Sequence, residues 1–226
     1  MSEIIFPSEA LPEIDWENPL SAYVRAAMEI NSITEVVNIV SGETFTVPAM
    51  TSHADGAYTA PNNVTNTFDS ESFSYENDEF IFVIDLERIG NNAASNPAFL
   101  SIGAWGTGKG LDVRSGDYSD NTIDARVNQN YVNYGTKISD GAVVPRSIYI
   151  VRWQPSVNTL SIYKNGVYRN QHIVSTTNSF SQSGINFSVG GAKDKFFRSY
   201  FMQKSGGSFT QEEFDSIAAN PYQVFK

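Results

Sequence analysis

Apolar and polar residues alternate one for one through long stretches of this chain, most regularly between Arg146 and Val174. Ile148, Ile150 and Arg152 alternate with Tyr149, Val151 and Trp153; a period of two in β-branched and aromatic residues predicts a strand. Pro155 stops it. After a polar Ser156-Val157-Asn158 turn, a second strand runs from Thr159 to Lys164, with Leu160 and Ile162 on one face and Ser161 and Tyr163 on the other. Asn165-Gly166 then predicts a type I′ hairpin turn, since both central residues need positive φ and these two tolerate it best. The third run, Val167 to Val174, folds back antiparallel.

The same pattern recurs elsewhere. Glu79 to Arg88, EFIFVIDLER, puts Phe80, Phe82, Ile84 and Leu86 on one face and Ile81 and Val83 on the other, which predicts a central strand covered on both sides near its start. Thr34 to Val40 and Thr44 to Val47, separated by Ser41-Gly42, read as a hairpin. Short extended pieces are expected around Tyr58 and at Val64 to Phe68, with a strand at Phe73 to Tyr75. Pro97 to Trp105 pairs with Gly110 to Arg114, and Ile123 to Asn128 and Asn130 to Tyr134 add two short strands. Phe196 to Met202 is another. Thr210 with Glu213 three residues on forms a capping box that opens a short helix to about Ala219. Ser21 to Ile30 fits a helix by spacing alone. Residues 1–20 hold Pro7, Pro12 and Pro19, so they form an extended arm whose Ile4, Ile5, Phe6, Leu11, Ile14 and Trp16 need a surface to cover. That surface is either the arm's own sandwich or a neighbouring subunit.

A strand ending in Trp153, a polar break, and then Leu160-Ser161-Ile162-Tyr163-Lys164-Asn165-Gly166-Val167 resembles the central hairpin of laminin-G-like, concanavalin-A-like jelly-roll domains. Ile185 to Gly191 resembles the glycine-ended strand of that family, and Phe209 to Pro221 its closing segment. Ile14 to Leu20 resembles the leader that precedes such domains in tailed-phage virion proteins. The resemblance implies a strand at Ser21 to Ile30 and packing for Trp153. It also implies one antiparallel jelly-roll β-sandwich over residues 21–226, with a short C-terminal helix and an arm at 1–20.

Composition narrows the partners. With 226 residues, 41% hydrophobic and 13% aromatic, the chain has enough material for one sandwich with a real core. Its 25 acidic against 15 basic residues give a net charge of -10, which repels phosphate backbones and sets nucleic acid aside as a partner. There are no cysteines, and no stretch approaches the ~20 apolar residues of a membrane-spanning helix. Met1 to Pro7 lacks a basic region and a long apolar run, so no secretory signal is expected, and work outside a cell implies release by lysis or within a particle.

Candidate chemistry is sparse. Asp85 and Glu87 share a strand face but lack the third acid of a sandwich glycanase, and they read as an exposed strand end. Tyr163 to Gln171 superficially resembles a motif of jelly-roll alginate lyases, without that family's Arg-rich strand or its spaced Gln and His, so lyase activity stays an alternative. His53 and His172 are the only histidines, too few for zinc without acids. Asp112, Asp117, Asp120 and Asp124 supply oxygen ligands of the kind calcium takes, in a spacing that matches no calcium loop. Sugar binding has better material: Trp105, Asp117, Tyr118, Asp120, Asn121, Asn130, Tyr131 and Tyr134 combine stacking rings with hydroxyl partners, though the tyrosines equally suit a sandwich edge. The expectation is a non-enzymatic virion structural protein, made in the host cytoplasm, with no cofactor. It would attach to other virion proteins through its arm, assemble as a homo-oligomer, with a trimer the expected form, and present a weak carbohydrate-binding surface.

Overall fold

The computed structural model describes residues 12–60, 64–74, 76–90, 98–102, 109–115, 122–129, 132–139, 143–174, 181–189 and 193–226. Among the described residues, strands run in chain order: β1 (Val24–Ser32), β2 (Glu35–Asn38), β3 (Glu43–Thr46), β4 (Thr51–Ser52), β5 (Tyr58–Thr59), β6 (Val64–Ser74), β7 (Glu79–Arg88), β8 (Ala98–Ile102), β9 (Lys109–Ser115), β10 (Thr122–Gln129), β11 (Val132–Ser139), β12 (Val144–Gln154), β13 (Thr159–Lys164), β14 (Val167–Ile173), β15 (Ser181–Val189) and β16 (Asp194–Lys204). A helix, α1 (Gln211–Ala219), follows them. A ten-stranded sheet takes the order β14-β13-β12-β7-β16-β1-β2-β3, with β5 on β16 and β4 on β5. A six-stranded sheet takes the order β11-β10-β9-β8-β15-β6. Among the described residues no helix is long and apolar enough to cross a membrane.

Strand alternation sorts the side chains into two cores. Between the sheets lie Phe80, Phe82, Ile84 and Leu86 of β7, Tyr149, Val151 and Trp153 of β12, and Leu111, Val113, Ile123, Ala125 and Val127 from the six-stranded sheet. Trp153 is fully buried there. The opposite residues of the same strands, Ile81, Val83, Ile148 and Ile150, face away from the six-stranded sheet and meet Phe214, Ile217 and Ala218 of α1 with Ile14, Leu20, Tyr222 and Val224. β7 is therefore covered on both sides, as its unbroken apolar run predicts. Each fully buried side chain of this size contributes about 1.5–3 kcal/mol.

Local chemistry explains the boundaries. Asn165 and Gly166 take φ of 51° and 74°, the pair of positive values a type I′ turn needs. The Asn165 side chain also accepts a hydrogen bond from the Ile148 amide at 2.9 Å, which ties the turn to β12. Thr210 accepts from the Glu213 amide at 3.1 Å while the Glu213 carboxylate accepts from the Thr210 amide at 2.6 Å, closing the capping box of α1. Ser21 to Tyr23 differs from the expected strand: Pro19–Tyr23 is a 3-10 turn because Pro19 sits at its start and Asn18 caps it, so β1 begins only at Val24.

The described part of the expected arm lies on its own domain. Ile14 is buried and bridges Phe225, and the backbones of Glu13 and Lys226 exchange hydrogen bonds at 3.0 and 3.3 Å. The Asp15 amide donates to the Val224 carbonyl at 2.8 Å. Ile4, Ile5, Phe6 and Leu11 lie outside the described residues.

Candidate functional site

The outward side of the six-stranded sheet carries charge where the inward side is apolar. Because Leu111 and Val113 point inward, Asp112 and Arg114 of β9 point out; Asp124 and Arg126 of β10 do the same. Strand register sets Asp112 opposite Arg126 and Arg114 opposite Asp124, a two-by-two block of alternating sign. Arg114 Nε donates to Asp112 Oδ2 at 2.7 Å, and its second nitrogen bonds the same oxygen. Arg126 bonds Asp124 Oδ2 through a terminal guanidinium nitrogen along its own strand. Opposite charges facing across an antiparallel pair stabilise it, and they also hold the guanidinium planes in place.

Burial divides the block. The aspartate side chains are 5% and 3% exposed, whereas the arginines keep 13% and 17%. Loss of water pushes the Asp112 carboxyl up to about 6, against the pull of Arg114 and Arg126 and with a further push from Asp124. Oδ1 of both aspartates is buried without a hydrogen-bond partner. Neighbouring Lys137, in register with Asp124, is exposed, and its carbonyl accepts from the Asn170 side chain at 2.9 Å.

Of the expected sugar-binding residues, Trp105, Asp117, Tyr118, Asp120, Asn121, Asn130 and Tyr131 lie outside the described residues, and Tyr134 stands in β11 paired with Val127.

The remaining candidates have structural partners. Asp85 corrects the reading of an exposed strand end: it is 1% exposed, clamped by Arg146 at 3.1 and 2.6 Å, and bonded by the Tyr222 hydroxyl. The residues that bury it, Arg146 and Tyr222, come from 61 and 137 positions away. Glu87 instead pairs with Lys195 at 3.3 Å. The lyase-like stretch Tyr163 to Gln171 forms the β13–β14 hairpin, whose β14 is an exposed edge. His53 bonds Thr59 at 2.8 Å, and His172 stands on β14. Among the described residues no group of three or more His, Cys, Asp or Glu could hold a metal ion.

A groove missed by sequence reasoning lies on the far side of the sandwich. Pro12, Glu13, Ile14 and Trp16 line a groove of ≈ 450 Å³ together with Ile39 and Lys226. Trp16 is 61% exposed beside buried Ile14.

No family model matches the chain, and no curated protein matches its sequence. Solved structures share its backbone. The binding domain of botulinum neurotoxin serotype D is 10% identical with a TM-score of 0.61, over 88% of this chain and 51% of that one. The binding domain of Paraclostridial Mosquitocidal Protein 1 is 11% identical at 0.58, over 88% and 52%. The botulinum neurotoxin type G receptor binding domain is 13% identical at 0.57, over 86% and 50%. The fold is an antiparallel jelly-roll β-sandwich. The protein spans about half the length of each of these chains, and at such identities the likeness speaks for the fold alone.

Proposed function

We propose that this protein is a non-catalytic recognition module that presents a carbohydrate-binding surface on the outward side of its six-stranded sheet. It would serve as a decoration, fibre or spike component of a tailed-phage virion. The carrying observation is the contrast between the two outer faces. On the ten-stranded sheet, α1 and the segments around Ile14 and Val224 cover the face, and its Glu79–Arg152 pair lies buried beneath them. On the six-stranded sheet the face carries the Asp112, Arg114, Asp124, Arg126 block, with both arginines partly open to water. Sugars are bound by alternating acceptors and donors held rigidly enough that little order is lost on contact, and ion-paired guanidinium groups on a sheet meet that need. Trp105, Asn130 and Tyr131 would add stacking and hydroxyl contacts.

The virion setting draws on the resemblance of Ile14 to Leu20 to a phage leader. Attachment would run through Ile4, Ile5, Phe6 and Leu11, in a homotrimer. The test of recognition is an immobilised glycan screen on the full chain, followed by amide chemical-shift mapping with the best ligand. Shifts concentrated in β9, β10 and β11 support the reading. A screen with no binder, or shifts that spare those strands, overturns it.

A further inference from the structure

We infer that the groove between the Pro12–Trp16 turn, Ile39 and Lys226 is a subsite for a neutral pyranose. It lies on the opposite side of the sandwich from the Asp112 to Arg126 block and does not depend on that surface.

The first argument is the presentation of the indole. Trp16 exposes 61% of its surface, yet its backbone is not that of a loose arm. Its own amide donates to the Ile14 carbonyl at 3.1 Å, and the Asn18 amide to the Asp15 carbonyl at 3.0 Å. The Ser21 hydroxyl donates to the same Asp15 carbonyl at 2.7 Å, and the Asn18 side chain donates to the Gln223 carbonyl at 2.8 Å. A large aromatic held in water by a hydrogen-bonded turn is a prearranged platform, so a ligand stacking on it has little backbone left to order.

The second argument is what surrounds the ring. Pro12 and Ile39 give the groove apolar walls that suit the C–H face of a sugar. At its rim the Glu13 carboxylate and Lys226 ammonium stand 3.9 Å apart, 80% and 57% exposed. Such a pair is worth little to the fold, but it sets an acceptor and a donor side by side, as a pair of adjacent hydroxyls requires. The ≈ 450 Å³ volume falls within the roughly 300–1,000 Å³ of small-molecule sites. A stable protein partner needs about 1,000 Å² of contact, far beyond a groove lined by six residues. Glu13 and the net charge of -10 disfavour acidic sugars, which leaves neutral hexopyranosides as the class.

The three tryptophans make the test direct. In the ¹⁵N-labelled full chain, the indole resonance lost in Trp16→Phe identifies Trp16, and buried Trp153 serves as an internal control. Methyl glucosides, galactosides, mannosides and N-acetylglucosamine are titrated to tens of millimolar. The expected result is a saturable shift of the Trp16 indole for at least one sugar, abolished binding at this site in Trp16→Ala, and about 3- to 10-fold weaker binding in Glu13→Gln, as for loss of a charge-assisted hydrogen bond. A Trp16 indole silent to every sugar overturns the inference, and so does undiminished binding in Trp16→Ala. A solution mass that drops in Trp16→Ala also overturns it, because the groove is then an interface between copies. Shifts in β9 and β10 with a silent Trp16 leave the recognition surface standing; a responsive Trp16 with silent β9 and β10 does the reverse.

Discussion

Gly166 lies so close to α1 that a Cβ on it would stand 2.5 Å from the Ala218 carbonyl oxygen. The hairpin tip is thus a packing surface for the end of the helix as well as a turn. Tyr163 beside it packs against Phe214 with ring centroids 4.8 Å apart and planes tilted by 59°, which locks the β13–β14 hairpin under α1.

Replacing Gly166 with alanine should therefore cost more than its backbone conformation alone. Gly42 has the same kind of positive φ, 76°, with nothing within 4 Å of an added Cβ. Gly42→Ala should lose about 1 kcal/mol from left-handed strain, and Gly166→Ala roughly 2–4 kcal/mol as the helix is pushed aside. Urea denaturation of both variants measures the difference.

Arg152 and Glu79 form a buried pair beneath the same helix. Nε of Arg152 meets Glu79 at 2.6 Å, its guanidinium lies 4.2 Å from the centre of the Phe214 ring, and it donates to the Phe209 carbonyl at 3.3 Å. Arg152→Met alone leaves a carboxylate stranded in a dry site and should cost about 3–5 kcal/mol. Adding Glu79→Met should recover most of that loss. A double-mutant cycle followed by thermal unfolding checks both statements.

Stability should fall as pH rises from about 4.5 to 7. Burial pushes the Glu29 carboxyl up to about 7 despite its partner Arg198, and Asp112 up to about 6; Asp85 is raised as well. Across that window the folded protein keeps protons that the unfolded chain has released. The native state then binds more protons, so unfolding becomes easier with each step up in pH. The contribution is complete below the ordinary carboxylate range and gone above about 7. Melting temperatures from pH 4.5 to 8 should decline, and Glu29→Gln should flatten the decline.

Two truncations separate attachment from folding. A chain starting at Pro12 keeps Ile14 and Leu20 in the core and should melt like the full chain. One starting at Ser21 loses both, at about 1.5–3 kcal/mol per side chain, and should melt lower. If residues 1–11 attach the protein to its own copies, light scattering will show the full chain as an oligomer and the Pro12 version as a folded monomer.

What the sequence revealed follows the range of the forces involved. β7 and β12 were legible because period-two apolar runs report burial directly. The 165–166 turn and the Thr210 cap were legible because positive φ and orphan amides each demand particular residues within four positions. Asp85 was misread because its cover comes from Arg146 and Tyr222, whose approach no local pattern announces. The Trp16 groove left no local signal, because Pro12, Ile39 and Lys226 meet only through the fold.

The bridge between Ile14 and Phe225 closes the backbone almost into a ring. Any polypeptide continuing before Glu13 and any continuing after Lys226 must depart from neighbouring points, like two leads from one plug. A domain wired this way can be spliced into a surface loop of another protein without stretching either side. It should also tolerate being reopened: a chain without residues 1–12, with Glu13 joined to Lys226 by a short linker and cut at the exposed Gly56 turn, should keep the same sandwich.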